Sequence, residues 1–221
     1  MNDSNRRAKT AGLHHERHYL RCGCRYIVGI DEAGRGPLAG PVAAGAVALP
    51  LEQPDLSRLL RGARDSKTMS ATQRESLDGT IKELALAWGI GCSSTEEIDR
   101  LGIVAATKIA MQRALEQALA KTDFRPDCLF LDYMLWPERR DIPQVSIVDG
   151  DKYSLSIACA SIIAKVWRDA CMRELDTRYP HYGFAQHKGY GTEAHRRALA
   201  QYGPCPEHRR SFAPVQSAIA T

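Results

Sequence analysis

The sequence predicts an α/β fold, a mixed β-sheet with helices on both faces, and the order of its apolar runs carries that expectation. Five short apolar runs read as strands, three of them in the N-terminal half. Helical signatures then alternate with strands, and two of them carry capping boxes. At 221 residues the chain is long enough to bury a real core, so one main domain over 25–221 is expected.

Residues 1–24 are polar, rich in Arg and His and without an apolar period, and are expected to form a flexible N-terminal extension. The run from Arg25 to Ile30 favours a strand, and "PVAAGAVAL" (41–49) and "AWGIGCSS" (87–94) favour two more. Between these last two, Ser70 followed by Gln73 makes a capping box that starts a helix to about Ala85. Ser94 and Glu97 repeat the signature, and the spacing of Ile103, Ala106, Ile109, Ala110 and Leu115 predicts one long helix to about Ala120. Strands follow at "CLFLD" (128–132) and "QVSIV" (144–148). Helices are then expected from about Leu155 to Leu175 and from Thr192 to about Gln201.

An apolar fraction of 44% and a charged fraction of 25% are those of an ordinary soluble globular protein. No run approaches the length of a bilayer span, and no apolar segment follows the basic N-terminus. Neither a membrane anchor nor a secretory signal is therefore expected. Seven scattered cysteines, with a lone Cys22-x-Cys24, form neither zinc-ligand pairs nor a disulfide framework and point to a reducing cytoplasm. Cys159 and Cys171 stand in apolar helical contexts and are expected in the core. The net charge of +4 permits nucleic-acid binding without demanding it. The basic segments "HRRALAQY" and "EHRRSFAPV" could form a phosphate-facing surface, but on composition alone a solvated helix face is the favoured reading.

The chemistry starts in "GIDEAGRGPLAGP" (29–41), where an apolar run ends in Asp31 and Glu32 and a glycine-rich loop with Arg35 follows. Asp132 ends the run "CLFL", and Asp149 and Asp151 follow "VSIV". If those strands are neighbours, their acidic ends converge, and clustered carboxylates need a compensating cation. An all-oxygen donor set favours Mg2+ or Mn2+ over Zn2+. Singly, each acid has an ordinary alternative: Asp31 and Glu32 as a solvated strand end, Asp132 as a turn residue before Pro137, Asp149 or Asp151 as a helix N-cap.

Together, "GIDEAGRGPLAGPV", "DSK" (65–67), "LD" at 131–132, "GDKYSLSIACASIIAKVWRD" and "YGFAQHKGYGT" resemble type 2 ribonuclease H, specifically the bacterial ribonuclease HII family, from about Arg25 to about Val215. The resemblance implies a ribonuclease H-like mixed sheet flanked by helices, with a helical C-terminal part over about 178–221. It also implies a cytoplasmic endonuclease that hydrolyses the phosphodiester 5′ of ribonucleotides embedded in duplex DNA and cuts RNA in RNA–DNA hybrids, leaving 3′-hydroxyl and 5′-phosphate ends. Such an enzyme removes ribonucleotides in DNA repair. Asp31, Glu32 and Asp132 match the first three catalytic acids. The fourth lies ten residues before Ser161 of "ACAS", at Asp151 and not Asp149. These four would hold two Mg2+ or Mn2+ ions.

By the same resemblance, Gly34, Arg35 and Gly36 match the loop that contacts the ribonucleotide 2′-hydroxyl and its phosphate. Tyr190 matches the tyrosine beside the junction sugar, and Ser66 and Lys67 fall where the family meets the nucleic-acid backbone. The implied partners are RNA–DNA hybrid and ribonucleotide-containing duplex DNA, bound by a monomer. The C-terminal "VQSAIAT" lacks the aromatics of a clamp-binding peptide. Two departures from the family pattern stand out: Asp149, where a basic or small residue is frequent, and Tyr133, where glycine is. His187 is expected in a structural or backbone-contacting role. Another ribonuclease H-fold nuclease, such as a resolvase or transposase core, would use similar acids without the Gly-Arg-Gly loop or Tyr190. A non-enzymatic nucleic-acid-binding module would explain the basic C-terminal region but not the acidic strand ends.

Overall fold

The computed structural model describes residues 10–120 and 122–219. Five strands, Ile27–Ala33 (β1), Val42–Ala48 (β2), Ala87–Ser93 (β3), Cys128–Asp132 (β4) and Gln144–Ile147 (β5), form one sheet in the order β3-β2-β1-β4-β5. The first three pair antiparallel, whereas β4 runs parallel to β1 and β5 parallel to β4. The sheet is therefore mixed, as expected. Ten helices surround it: His14–Arg21 (α1), Leu56–Leu59 (α2), Ala71–Leu84 (α3), Thr95–Leu101 (α4), Ile103–Leu119 (α5), Gly150–Tyr153 (α6), Leu155–Arg178 (α7), Phe184–His187 (α8), Glu193–Tyr202 (α9) and Ala213–Ile219 (α10), counted among the described residues.

Strand periodicity divides the core between the two sheet faces. Ala44, Ala46 and Ala48 of β2 pack with Ala110, Ala114 and Leu115 of α5, while Val47 packs with Ala158, Ile162 and Ile163 of α7. Small residues set the spacing. A Cβ at Gly29 would sit 2.3 Å from the backbone of Ser156, so α7 rests directly on β1 and reaches the end of that strand with little tolerance for displacement.

Both expected capping boxes are formed. Ser70 and Gln73 exchange bonds of 3.0 and 3.2 Å, and Ser94 and Glu97 bonds of 2.9 and 3.2 Å. The single helix expected from Ser94 to Ala120 is instead two, because Gly102 adopts φ +79° and ψ 156° between α4 and α5. The apolar spacing runs across that break, so periodicity alone does not reveal it.

The expected flexible extension also needs correction. Residues 1–9 lie outside the described residues, but Ala11 and Leu13 are core residues and α1 lies against the start of α7. The buried Glu16 carboxylate accepts from Ser154 Oγ at 2.6 Å, Ser156 N at 2.9 Å and Ser156 Oγ at 2.8 Å, capping α7 from afar. An anchor made of one acid and partners 138 and 140 positions away leaves no periodic trace in sequence. All seven cysteines are free; Cys159 is buried as expected, but Cys171 is only half-buried. Among the described residues no helix is long and apolar enough to cross a membrane.

Candidate metal centre and phosphate cleft

In the parallel pair β1–β4, Ile30 stands opposite Leu131, so the next residue of each strand, Asp31 and Asp132, are neighbours at the strands' C-terminal ends. The chain leaves β5, turns through Asp149 in a left-handed conformation (φ 55°) and enters α6, which carries Asp151 inward. One carboxylate oxygen from each of Asp31, Asp132 and Asp151 lies within 4.8 Å of the others. Asp149 is exposed and pairs with Lys152 at 3.0 Å, so the structure brings Asp151, and not Asp149, into the cluster. Glu32 adjoins the trio without joining it, as its carboxylate accepts from Arg35 Nη1 at 3.3 Å.

Burial, then the negative charges of Glu32 and Asp132, holds the Asp31 carboxyl well above its ordinary range, against hydrogen bonds from Ser161 and the Glu32 amide. Burial raises Glu32 as well, with Arg35 opposing. Asp132 is raised by burial, against the Gly150 amide that donates to it at 2.7 Å. Burial followed by the charges of Asp65 and Asp132 pushes Asp151 up to about 6. Three acids this close are poorly tolerated as anions without a cation. The donors are hard oxygens with no Cys or His among them, which fits a hard divalent ion and not zinc. Lys67 supplies part of the compensation: burial disfavours its charge, but Asp31, Asp151, Asp65 and Asp132 outweigh that and raise it.

Beside the cluster opens a cleft of about 270 Å³ lined by Glu32, Ala33, Gly34, Arg35, Gly36, Ser66, Lys67, Lys165 and Tyr190. All six residues expected to meet nucleic acid are on that wall. Gly34 has an internal cause: its φ is +95°, and a Cβ there would sit 1.9 Å from Arg168 Nε. Gly36 has none, since a Cβ would meet nothing closer than the Tyr190 ring at 4.0 Å. Space kept free on the cleft side suits close approach by a ligand. Among the described residues three non-glycines have positive φ, Tyr133, Asp149 and Lys188, and Tyr133 at φ 60° follows Asp132 where a glycine would be unstrained.

Several supporting residues escape a reading of the sequence. Arg168 and Arg209 are fully buried and end on backbone carbonyls. Arg168 donates to Pro41, Lys188 and Ala39 at 2.9, 3.0 and 3.2 Å. Arg209 donates to Gly40, Arg35 and Gly34 at 3.0, 2.8 and 2.6 Å. Ser161, noticed in the sequence only as a spacing mark, bonds Ser66 Oγ at 2.9 Å behind Asp31. Arg74 donates to the Ser66 and Met69 carbonyls at 2.8 and 2.5 Å and pairs with Asp169 at 3.4 Å, fixing the Ser66–Thr68 turn to α7. Of these, only Arg209 falls in a segment that its charge singles out, "EHRRSFAPV", and charge alone does not tell a buried strut from a solvated face.

The model of the family described as Ribonuclease HII matches residues 28–215. A Ribonuclease HII of Syntrophotalea carbinolica is 48% identical over 92% of this chain and 93% of its own length. One from Geobacillus kaustophilus is 49% identical over 94% of this chain and 75% of its own. Among solved structures, the ribonuclease H2 of Pyrococcus horikoshii OT3 superposes with a TM-score of 0.68 at 24% identity, covering 87% of this chain and 96% of that one; this likeness speaks to the fold.

Proposed function

The chain belongs to the ribonuclease HII family, and from that premise we propose that it cuts the phosphodiester 5′ of ribonucleotides in duplex DNA, and RNA in RNA–DNA hybrids, leaving 3′-hydroxyl and 5′-phosphate ends. Removal of ribonucleotides from DNA is the corresponding cellular role. The observation that carries the reading is a three-carboxylate cluster lying beside a cleft walled by Gly34, Arg35, Gly36 and Tyr190 and joined to it through Glu32 and Lys67.

Asp31, Asp132 and Asp151, with Glu32 beside them, would hold two divalent ions, Mg2+ or Mn2+. What such ions supply is an activated water and neutralisation of charge on phosphorus and on the departing O3′. The protein's own part is placement. Arg35 and Lys67 bring positive charge to the scissile and neighbouring phosphates. The open side of Gly36 lets backbone approach the sugar, and the exposed Tyr190 ring offers a flat face beside it. A histidine base is not needed. His187 has both ring nitrogens committed, Nε2 to the Tyr182 carbonyl at 2.7 Å and Nδ1 to the Gly189 amide at 3.2 Å, as its expected structural role requires.

A resolvase-like core would share the acids but has no use for this wall, and a mere binding module would gain nothing from acids that repel a polyanion. Asp31→Asn or Asp132→Asn removes one ligand charge at nearly constant volume. Each should abolish cleavage in Mg2+ or Mn2+ while circular dichroism and melting show the fold intact. Near-normal turnover by either variant rules the site out.

A further inference from the structure

Among the residues lining the cleft, Tyr190 alone comes from the helical C-terminal part, and a chain of hydrogen bonds leads from its backbone into the interior. The Tyr190 carbonyl accepts from the Thr192 amide at 2.8 Å and faces His195 Nδ1 at 2.9 Å. His195 Nε2 lies 3.0 Å from His208 Nε2, and His208 Nδ1 accepts the Cys205 amide at 3.0 Å, with the Cys205 thiol, a further donor, 3.2 Å away. Both histidines are buried, at 0% and 1% exposure.

The two ends of this chain fix its protons independently. A carbonyl only accepts, so His195 must carry its proton on Nδ1, leaving Nε2 a bare acceptor. An amide only donates, so His208 Nδ1 must be bare and its proton must sit on Nε2. Where the rings meet, one nitrogen therefore donates and the other accepts. Every ring nitrogen is satisfied by this single arrangement of two neutral imidazoles. Any other sets proton against proton or lone pair against lone pair in a buried site. Phe184 meets His195 edge-on at 5.5 Å and Tyr182 meets His208 at 4.8 Å, so neither ring has room to turn over freely.

We propose that His208 and His195 form a buried relay of neutral histidines with fixed tautomers that positions Tyr190 at the cleft. Neither ring touches substrate; both are positioning residues, and their consequence for selectivity rests on Tyr190 reading the junction sugar. The relay holds the backbone carbonyl, and the backbone sets where the exposed ring points. Loss of the His208 donor leaves His195 Nε2 unpaired and free to draw the ring away from Tyr190.

Two measurements on the full chain test this. Nitrogen-15 shifts of the histidine rings at neutral pH should show His208 protonated on Nε2 and His195 on Nδ1; the opposite tautomers, or an imidazolium at either position, overturn the relay. The second compares His208→Leu, which keeps volume without the donor, with His208→Gln, whose amide nitrogen can replace Nε2–H. Cleavage at a single ribonucleotide should fall about tenfold relative to continuous hybrid in His208→Leu and recover in His208→Gln, with both variants folded by circular dichroism. An unchanged ratio in His208→Leu, or an equal loss in both variants, overturns the proposal. Tyr190→Ala, run alongside, separates the two ideas. If it shifts the ratio and His208→Leu does not, the relay is wrong and the reading of Tyr190 stands. If Tyr190→Ala leaves the ratio unmoved, the reading of Tyr190 and the relay's effect on selectivity both fail.

Discussion

The buried guanidinium of Arg209 donates to the carbonyls of Gly34 and Arg35 at 2.6 and 2.8 Å, and so fixes the direction of the peptides that line the cleft. No peptide in the described chain is cis, so the amides of Arg35 and Gly36 point opposite to those carbonyls, away from Arg209. Amides turned this way suit a phosphate or a sugar hydroxyl. Arg209→Lys keeps the charge but cannot span several carbonyls with a planar fork. Its cleavage rate should fall at least about tenfold, by loss of placement, with the metal cluster intact. An Arg209→Lys enzyme that is folded and fully active would show that the loop holds itself.

Asp149 and Asp151 lie two positions apart and face opposite fates, one paired with Lys152 in solvent and one buried in the cluster. Asp151→Asn should therefore lose on the order of a hundredfold or more in cleavage rate, and Asp149→Asn less than about threefold, since exposed ion pairs contribute little. Steady-state rates in Mn2+ decide between them. The reverse order would mean that the wrong carboxylate has been placed at the metal.

Glu16 gives a prediction about stability. Removing its carboxylate leaves Ser154 Oγ and the Ser156 amide and hydroxyl without their acceptor in a buried position. Glu16→Ala should destabilise the fold by about 2–4 kcal/mol, while the rate per folded molecule stays near wild type. Chemical denaturation reads this directly, and an unchanged midpoint would contradict the anchoring of α1.

The histidine pair predicts a pH dependence. Burial, then neighbouring His195, lowers His208 from its ordinary value to about 4, with the Cys205 backbone opposing and His187 adding to the fall. Above the unfolded value of about 6.5 both states are neutral and this contribution is complete. As pH falls from there towards 4 the unfolded chain takes up the proton first, and about 3 kcal/mol of stability is lost. Denaturation of wild type and His208→Leu at pH 7 and 4.5 should show a smaller drop in the variant. Equal drops would place the acid sensitivity elsewhere.

What the sequence makes legible is local. Strand ends carrying Asp31 and Asp132 announce themselves by residue type, and the capping boxes at Ser70 and Ser94 by spacing. What it hides is long-range. Glu16 finds Ser156 across 140 positions, and Arg209 finds Gly34 across 175, so no window of sequence contains both partners. Gly34 is glycine for Arg168 as much as for any substrate, a cause invisible until α7 is folded over β1. The break at Gly102 shows the converse limit: an apolar period can continue unchanged through a residue whose backbone ends the helix.

The most direct test is cleavage of a DNA duplex containing one ribonucleotide, compared with the same duplex made wholly of deoxynucleotides, with Mg2+ or Mn2+ present and with the metal removed by chelation. A single nick on the 5′ side of the ribonucleotide is expected, only in the first duplex and only with metal. Equal cutting of the all-DNA duplex, or cutting that persists after chelation, would contradict the metal-binding role proposed for Asp31, Asp132 and Asp151 and the sugar-reading role proposed for Tyr190.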